Sequence, residues 1–285
     1  MRPSEGHRMN TAVVGNVEVT AILDTGLLMN PRTFLPGHGD QFLAEFPHLA
    51  DERGLMPMAI TSYLVRSAGK TILVDTGLGN RKRPGFPVGH LDESLHNAGI
   101  DPGEIEIVLN THLHIDHVGW NTVDHEDGSR EIFFPKARFL FQQQEWDYWM
   151  QPKFLEQPAN AHLVECVLPL KDTGRVELVT HEKAVDEHIT FIPTPGHTPG
   201  HVAIGIMSAG ERAVITGDAS HHPVQLLHPD WSPGADTDPV MSATTREKLF
   251  DWAIDEGRTW IAGHWQYPGL GRLVRLEGKR VFQAL

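Results

Sequence analysis

Apolar and polar residues alternate from Val13 to Leu23, the period of a half-buried strand. Ser62 to Arg66 is short and rich in β-formers, and Thr71 to Val74 runs apolar into Asp75-Thr76-Gly77, a turn signal. Ile105 to Leu109 reads as a buried strand, and Ala137 to Phe141 as another. Further strands are expected at Glu177–Val179, Ile189–Ile192, His201–Ile206, Ala213–Thr216 and Thr259–Ala262. Helices are expected at Asp92–Ala98, Gln142–Met150 and Ala159–Leu168. A longer one, Pro239 to Glu256, has Asp238 as its N-cap and Gly257 as its stop.

Between the first two strands, Thr25 to Ala59 is rich in Gly, Pro, Phe and His, with a short helix expected at Gln41–Asp51. A connection of that length is a lid, a partner surface or disorder, and Phe34, Phe42 and Phe46 argue against disorder. No fixed-period repeat, low-complexity tract or Pro/Ser-rich linker divides the chain. The expectation is one α+β domain over 1–285, built from two similar halves, with 25–59 as an inserted lid or interface segment and a homodimer as the assembly.

Composition narrows the function. The chain has 285 residues, 40% of them hydrophobic, which is ample for a large core. A formal charge of −13 disfavours nucleic acid and anionic membrane surfaces as partners. No stretch approaches the ~20 apolar residues of a membrane span. Met1 to Asn10 lacks the apolar run of a secretory leader, so a cytoplasmic protein is expected, and Met9 is an alternative start. The single cysteine, Cys166, cannot form an intramolecular disulfide and reads as a small buried hydrophobe.

The 18 histidines change the picture, because several fall at spacings that make chemistry. His112-Leu113-His114-Ile115-Asp116-His117 follows an apolar strand. Alternate residues of an extended segment share a face, so His112 and His114 can reach one metal ion. A turn then lets Asp116 and His117 address a neighbouring point. Three later segments also sit at strand ends, where a rigid sheet places side chains accurately: His197 in Pro195-Gly196-His197-Thr198-Pro199-Gly200-His201, Asp218 in Thr216-Gly217-Asp218, and His264 in Ala262-Gly263-His264. His201 is expected to brace the His197 loop, and His7, His38 and His181 to lie at the surface.

These motifs, spanning Val74 to His264, resemble the metallo-β-lactamase superfamily, marked by H-x-H-x-D-H, a later His, a Gly-Asp and a final His. The resemblance implies a four-layer αββα sandwich with metals at one edge of the sheets. By position, His112, His114 and His197 would hold one ion, Asp116, His117 and His264 the other, and Asp218 would bridge them. Asp75 matches a position that orients ligands. Imidazole and carboxylate ligands suit two divalent ions, zinc first, with Fe, Mn or Co as alternatives. Such a pair shares a hydroxide that attacks an electrophilic carbon or phosphorus.

Within that superfamily, an aspartate at the bridge argues against true β-lactamases, and the rest is similar to N-acyl-homoserine lactonases and methyl-parathion-hydrolase-like enzymes. The expected activity is therefore hydrolysis of lactones or activated esters carrying an apolar acyl or aryl group. The alternatives are a phosphotriesterase of the methyl parathion hydrolase type and a non-catalytic metal-binding protein on the same fold. Many lactonases carry a tyrosine three residues past the bridge. Here that residue is His221, a candidate catalytic hydrogen-bond donor alongside Asp116. Trp120 and Trp265, each beside a ligand segment, are expected to wall the pocket. Phe133, Phe134, Trp146, Trp149 and Trp231 are further aromatic candidates whose usual place is the core.

Overall fold

The structure, a computed structural model, describes residues 10–285, so the surface position expected for His7 lies outside the described residues. The first half supplies β1 (Thr11–Val14), β2 (Val17–Met29), β3 (Met56–Ser67), β4 (Lys70–Val74), β5 (Ile107–Leu109), a small hairpin of β6 (Thr122–Asp124) and β7 (Arg130–Ile132), then β8 (Arg138–Gln142) and β9 (Val176–Val179). The second supplies β10 (Lys183–Ala184), β11 (Ile189–Pro193), β12 (Val202–Ser208), β13 (Glu211–Ile215), β14 (Thr259–Ile261), β15 (Leu270–Leu276) and β16 (Lys279–Ala284). The helices are α1 (Pro31–Phe34), α2 (Gly39–Glu45), α3 (Leu91–Asn97), α4 (Ile115–Val118), α5 (Gln143–Trp149), α6 (Pro152–Leu155) and α7 (Pro239–Asp255).

Two seven-stranded sheets result, ordered β1-β2-β3-β4-β5-β8-β9 and β10-β11-β12-β13-β14-β15-β16. Side-chain parity stacks them. Ile72 and Val74 of β4, Ile107 and Leu109 of β5, Val202, Ile204 and Ile206 of β12, and Ala213 and Ile215 of β13 meet in one buried cluster between the sheets. The intervening residues point the other way. Leu73, Val108, Phe139 and Phe141 pack with Leu91 and Leu95 of α3 and Trp146 of α5. Ala203, Val214 and Trp260 pack with Leu249, Phe250 and Ala253 of α7. Strands buried on both faces read as continuous apolar runs, and the layers are helix, sheet, sheet, helix: the metallo-β-lactamase αββα sandwich.

Several elements differ from the sequence expectation. The Val13–Leu23 run is two strands, broken at Gly15-Asn16. The long connection is shorter than 25–59: Thr25 to Met29 pairs with Met56 to Ile60 as a continuation of the β2–β3 ladder. A register shift between Leu23 and Thr25 leaves Asp24 unpaired in the ladder, as a bulge does when it re-aims a side chain. The expected helix Ala159–Leu168 is a succession of 3₁₀ and π turns from Pro158 to Leu170, interrupted by Pro169. Helix α7 matches its signals: the Asp238 side chain accepts from Met241 N at 2.9 Å, and Gly257 adopts φ +62°. Among the described residues no helix is long and apolar enough to cross a membrane.

Candidate metal centre

β4, β5 and β8 run parallel, as do β13 and β14, so their C-terminal ends gather along one edge of the sandwich. The chain leaves β4 at Asp75, β5 toward His112, β13 toward Asp218 and β14 toward His264. His197 enters from the β11–β12 loop. All seven residues singled out as ligands from the sequence converge there. His112, His114, His197 and Asp218 form one tight group, and Asp116, His117 and His264 a second.

Asp218 lies between them. Its Oδ2 is 3.2 Å from His197 Nε2 and 3.6 Å from His112 Nε2, while Oδ1 is 3.1 Å from His117 Nε2 and 3.0 Å from His264 Nε2. Asp116 Oδ2 is 3.5 Å from His264 Nε2, and His114 turns its Nδ1 to 2.8 Å from His197 Nε2. Close as they are, His112 Nε2, His117 Nε2 and Asp218 Oδ1 are buried without an aligned hydrogen-bond partner. Buried polar atoms rarely stay unpaired, and imidazole nitrogens and carboxylate oxygens aimed at common points are what divalent cations require. The donor set therefore fits such ions.

Charge is divided unevenly over this cluster. Burial, with His117 next in effect, holds His112 well below the usual histidine range, and burial with His197 does the same to His114. Burial also opposes charge on His117, yet Asp218, Asp75 and Asp116 carry it well above that range. His197 is raised to about 9 against the same burial by Asp218 and Asp236. Asp218, despite burial, is held well below the usual carboxylate range by His117, His264, His221 and His112. One carboxylate among this many imidazoles is an environment built around positive charge.

Three of the inward-facing imidazoles, His117, His264 and His197, are fixed from behind. His117 Nδ1 lies 2.8 Å from Asp75 Oδ2, whose partner oxygen Oδ1 accepts from Thr111 N at 2.8 Å. Asp75 itself adopts φ +59°, a strained backbone for a non-glycine and typical of functional positions. His264 Nδ1 is 2.8 Å from Ala59 O, and His197 Nδ1 is 2.7 Å from Asp236 Oδ1. His201 lies behind Asp218: its Nε2 accepts from Asp218 N at 2.9 Å, and its Nδ1 meets Thr194. Its bracing role extends from the His197 loop to Asp218. Gly217, at φ +50°, passes so close that a Cβ would sit 2.6 Å from His201 Nε2.

Sequence reasoning missed four buried residues that tie these loops together. Glu145 Oε1 accepts from Leu113 N (3.0 Å) and Trp149 Nε1 (2.7 Å), and Oε2 from Thr198 Oγ1 (2.7 Å) and Gly200 N (2.9 Å). It thereby joins the His112–His114 and His197 segments, and burial raises its pKa against those hydrogen bonds. Asp24, from the bulge, accepts from Leu78 N, Leu91 N and Trp120 Nε1. Burial lifts it to about 6. Asp236 and Arg246 are the other two. None lies in a motif; the one local signal is Glu145, an acidic residue among the apolar positions of a short amphipathic helix.

Because of the Glu145 knot, Gly200 has no room for a side chain: a Cβ would lie 2.1 Å from Glu145 N. Gly200→Ala is expected to destabilise the fold by about 3 kcal/mol, seen as a lower denaturant midpoint at unchanged slope.

A cavity of about 500 Å³ opens onto the cluster, bordered by His114, Asp116, His197, Asp218, His221 and His264. Its walls include Leu27, Met29, Phe34, Met58, Phe86, Ile115 and Trp149, with His162 and Asn160, and among the described residues no lysine or arginine lines it. The placement expected for Trp120 and Trp265 is corrected: both are at most 2% exposed and lie outside the cavity. Trp120 packs on Phe133 and donates to Asp24, and Trp265 packs on Trp260 and Phe282. His181 is exposed as expected, but His38 is half-buried and stacks on Trp231, with ring centroids 5.1 Å apart. A larger groove of about 730 Å³ follows α7 between Pro193 and Trp252 and meets none of the clustered ligands.

Comparison with known proteins agrees with this geometry. The profile of the metallo-beta-lactamase superfamily matches residues 55–126. An N-acyl homoserine lactonase from a Bacillus species is 24% identical over 212 residues, covering 68% of this chain and 77% of that protein. A Bacillus thuringiensis N-acyl homoserine lactonase is 23% identical over 228 residues, covering 74% and 82%. Among solved structures, the hydrolase AbOPH of the β-lactamase superfamily superposes with a TM-score of 0.83 at 26% identity, covering 96% of both chains. AidC, a dizinc quorum-quenching lactonase solved with a product, superposes with a TM-score of 0.80 at 25% identity over 96% of both. The profile match over residues 55–126, the sandwich and the His/Asp cluster agree on a metallo-β-lactamase domain and fold, and the chain is a hydrolase of that kind with lactonases among the proteins it resembles.

Proposed function

We propose that the protein is a dinuclear-metal hydrolase of neutral lactones or activated esters. His112, His114, His197 and Asp218 would hold one ion, and Asp116, His117, His264 and Asp218 the other. The observation that carries this reading is Asp218, whose two oxygens each face a different histidine pair within 3.6 Å. Bound divalent ions, zinc on ligand type, supply Lewis acidity and make hydroxide available near neutral pH.

The chain's own groups would do the rest. Asp116 borders the cavity with a carboxylate 15% exposed. It is placed to take the proton of a water attacking the carbonyl carbon and to return it to the departing oxygen. His221 Nε2 stands 3.1 Å from Asp218 Oδ2, and burial lowers the imidazole's pKa, so it is neutral at pH 7. A neutral imidazole has one N–H, which at Nε2 faces Asp218 here and would become available to the carbonyl or leaving oxygen only when the ions engage the Asp218 carboxylate. Met29 at the end of β2 and Phe34 of α1, both in the first half of the 25–59 segment, line this space and would cover it as a lid. An apolar wall excludes water and accepts an acyl or aryl group.

Substrate charge follows from the lining. With two carboxylates and, among the described residues, no lysine or arginine, the cavity offers an anionic substrate no counter-charge apart from the ions. Lactones and aryl esters are therefore expected to exceed β-lactams and phosphodiesters by about 10²-fold or more in kcat/KM. A β-lactam turned over faster than every lactone and ester tested overturns this reading. The same uncharged cavity admits a phosphotriester, and the panel ranks that second activity directly.

A further inference from the structure

Arg246 is an unusual resident of α7, a guanidinium with 0% side-chain exposure. Its Nε donates to Ala219 O at 2.8 Å, one residue past Asp218, and its Nη1 to Pro229 O. Nη2 donates to Ser242 Oγ at 2.8 Å and to Asp236 Oδ2 at 3.3 Å. Asp236, equally buried, uses its other oxygen for His197 Nδ1 at 2.7 Å. A buried ion pair contributes little net stability, because desolvation offsets its attraction, so its retention calls for a role.

We propose that Asp236 and Arg246 are positioning residues dedicated to the ion site of His112, His114 and His197. The guanidinium clamps the carboxylate so that Oδ1 must accept the Nδ1 proton of His197, which leaves Nε2 with a lone pair facing Asp218. Because the same guanidinium holds the Ala219 carbonyl, His197 and Asp218 share one anchor in α7. The other ion site has its own carboxylate, Asp75 behind His117. The two sites are thus tuned by separate residues, one from the β4 end and one from the loop before α7.

Asp236→Asn discriminates sharply. Arg246 demands an oxygen, so the amide turns its NH₂ toward His197 Nδ1. Donation there shifts the ring to the Nε2–H tautomer, a donor where a lone pair is needed. In zinc-loaded full-length protein titrated with a chelator, the variant is expected to release one ion at chelator concentrations about tenfold or more lower than the wild type. The other ion should be retained as in the wild type. In a His197→Ala background, adding Asp236→Asn should change zinc retention by less than about twofold, because its effect runs through that ring. A purely structural role would add in both backgrounds. Zinc-loaded wild type supplies a readout that needs no folded variant: ¹⁵N-histidine spectra should show His197 protonated at Nδ1 and without a proton at Nε2.

Zinc retention unchanged by Asp236→Asn, an effect that persists in the His197→Ala background, or an Nε2–H tautomer in the wild type would each overturn the proposal. It rests on the reading of His197 and Asp218 as ligands, and the wild type separates the two failures. A wild type that binds no zinc ends both, whereas one that binds zinc normally beside an unaltered Asp236→Asn ends only this inference.

Discussion

Asp218→Ala is expected to lower kcat/KM for every lactone and ester by about 10³-fold or more, which corresponds to about 4 kcal/mol of transition-state stabilisation. The carboxylate is the one group whose oxygens face both histidine clusters, at 3.2 Å from His197, 3.1 Å from His117 and 3.0 Å from His264. Without it, no side chain among the described residues spans them, and both ions of the proposed pair would lose a ligand together. The fold should survive. Asp218 sits beyond the end of β13, whose Ala213 and Ile215 stay in the inter-sheet core, and the surrounding histidines can relax by losing protons. Circular dichroism and a melting curve recorded in chelator should match the stripped wild type, while turnover collapses. Near-normal turnover of a folded variant would show that the bridge has been assigned to the wrong residue.

Stripping the wild type with a chelator is expected to have an effect of similar size, with turnover falling to background and returning on addition of zinc. It should also lower the melting temperature. A ligand that binds only the folded state stabilises it by about 4 kcal/mol at a thousandfold excess over its Kd. The stripped site keeps buried nitrogens at His112 and His117 with no partner, so its loops gain nothing in exchange. Hydrolysis unaffected by complete removal of metal would place the chemistry on side chains alone.

The cluster of candidate ligands was legible in the sequence because the sheet brings strand ends together and each candidate follows an apolar strand within several residues. His112 to His117, Asp218 and His264 are all of this kind. The residues behind them were not legible. Asp236 reaches His197 across 39 positions, and Glu145 reaches Thr198 and Gly200 across 53 and 55. A lone acidic residue gives no sign that it will be buried until the partner segment is known. Trp120 and Trp265 misled for the opposite reason. They are neighbours of ligands in sequence, but the local backbone turns one toward Asp24 and the other toward Ser220, away from the cavity. The aromatic wall instead comes from Phe34, Phe86 and Trp149, which lie on three separate segments. The C-terminal hairpin escaped detection because β15 and β16 carry arginines and lysines on an exposed edge, which dilutes the alternation that marks a strand.

The most direct test is to strip the protein, add zinc in increments, and follow lactone or aryl-ester turnover against zinc bound per chain. Two candidate ligand groups with Asp218 within 3.2 Å of histidines in both predict that binding saturates at about two ions per chain and that activity reaches its plateau only as the second is taken up. Saturation at one ion with full activity, or full occupancy without any hydrolysis of lactone or ester, would contradict the account.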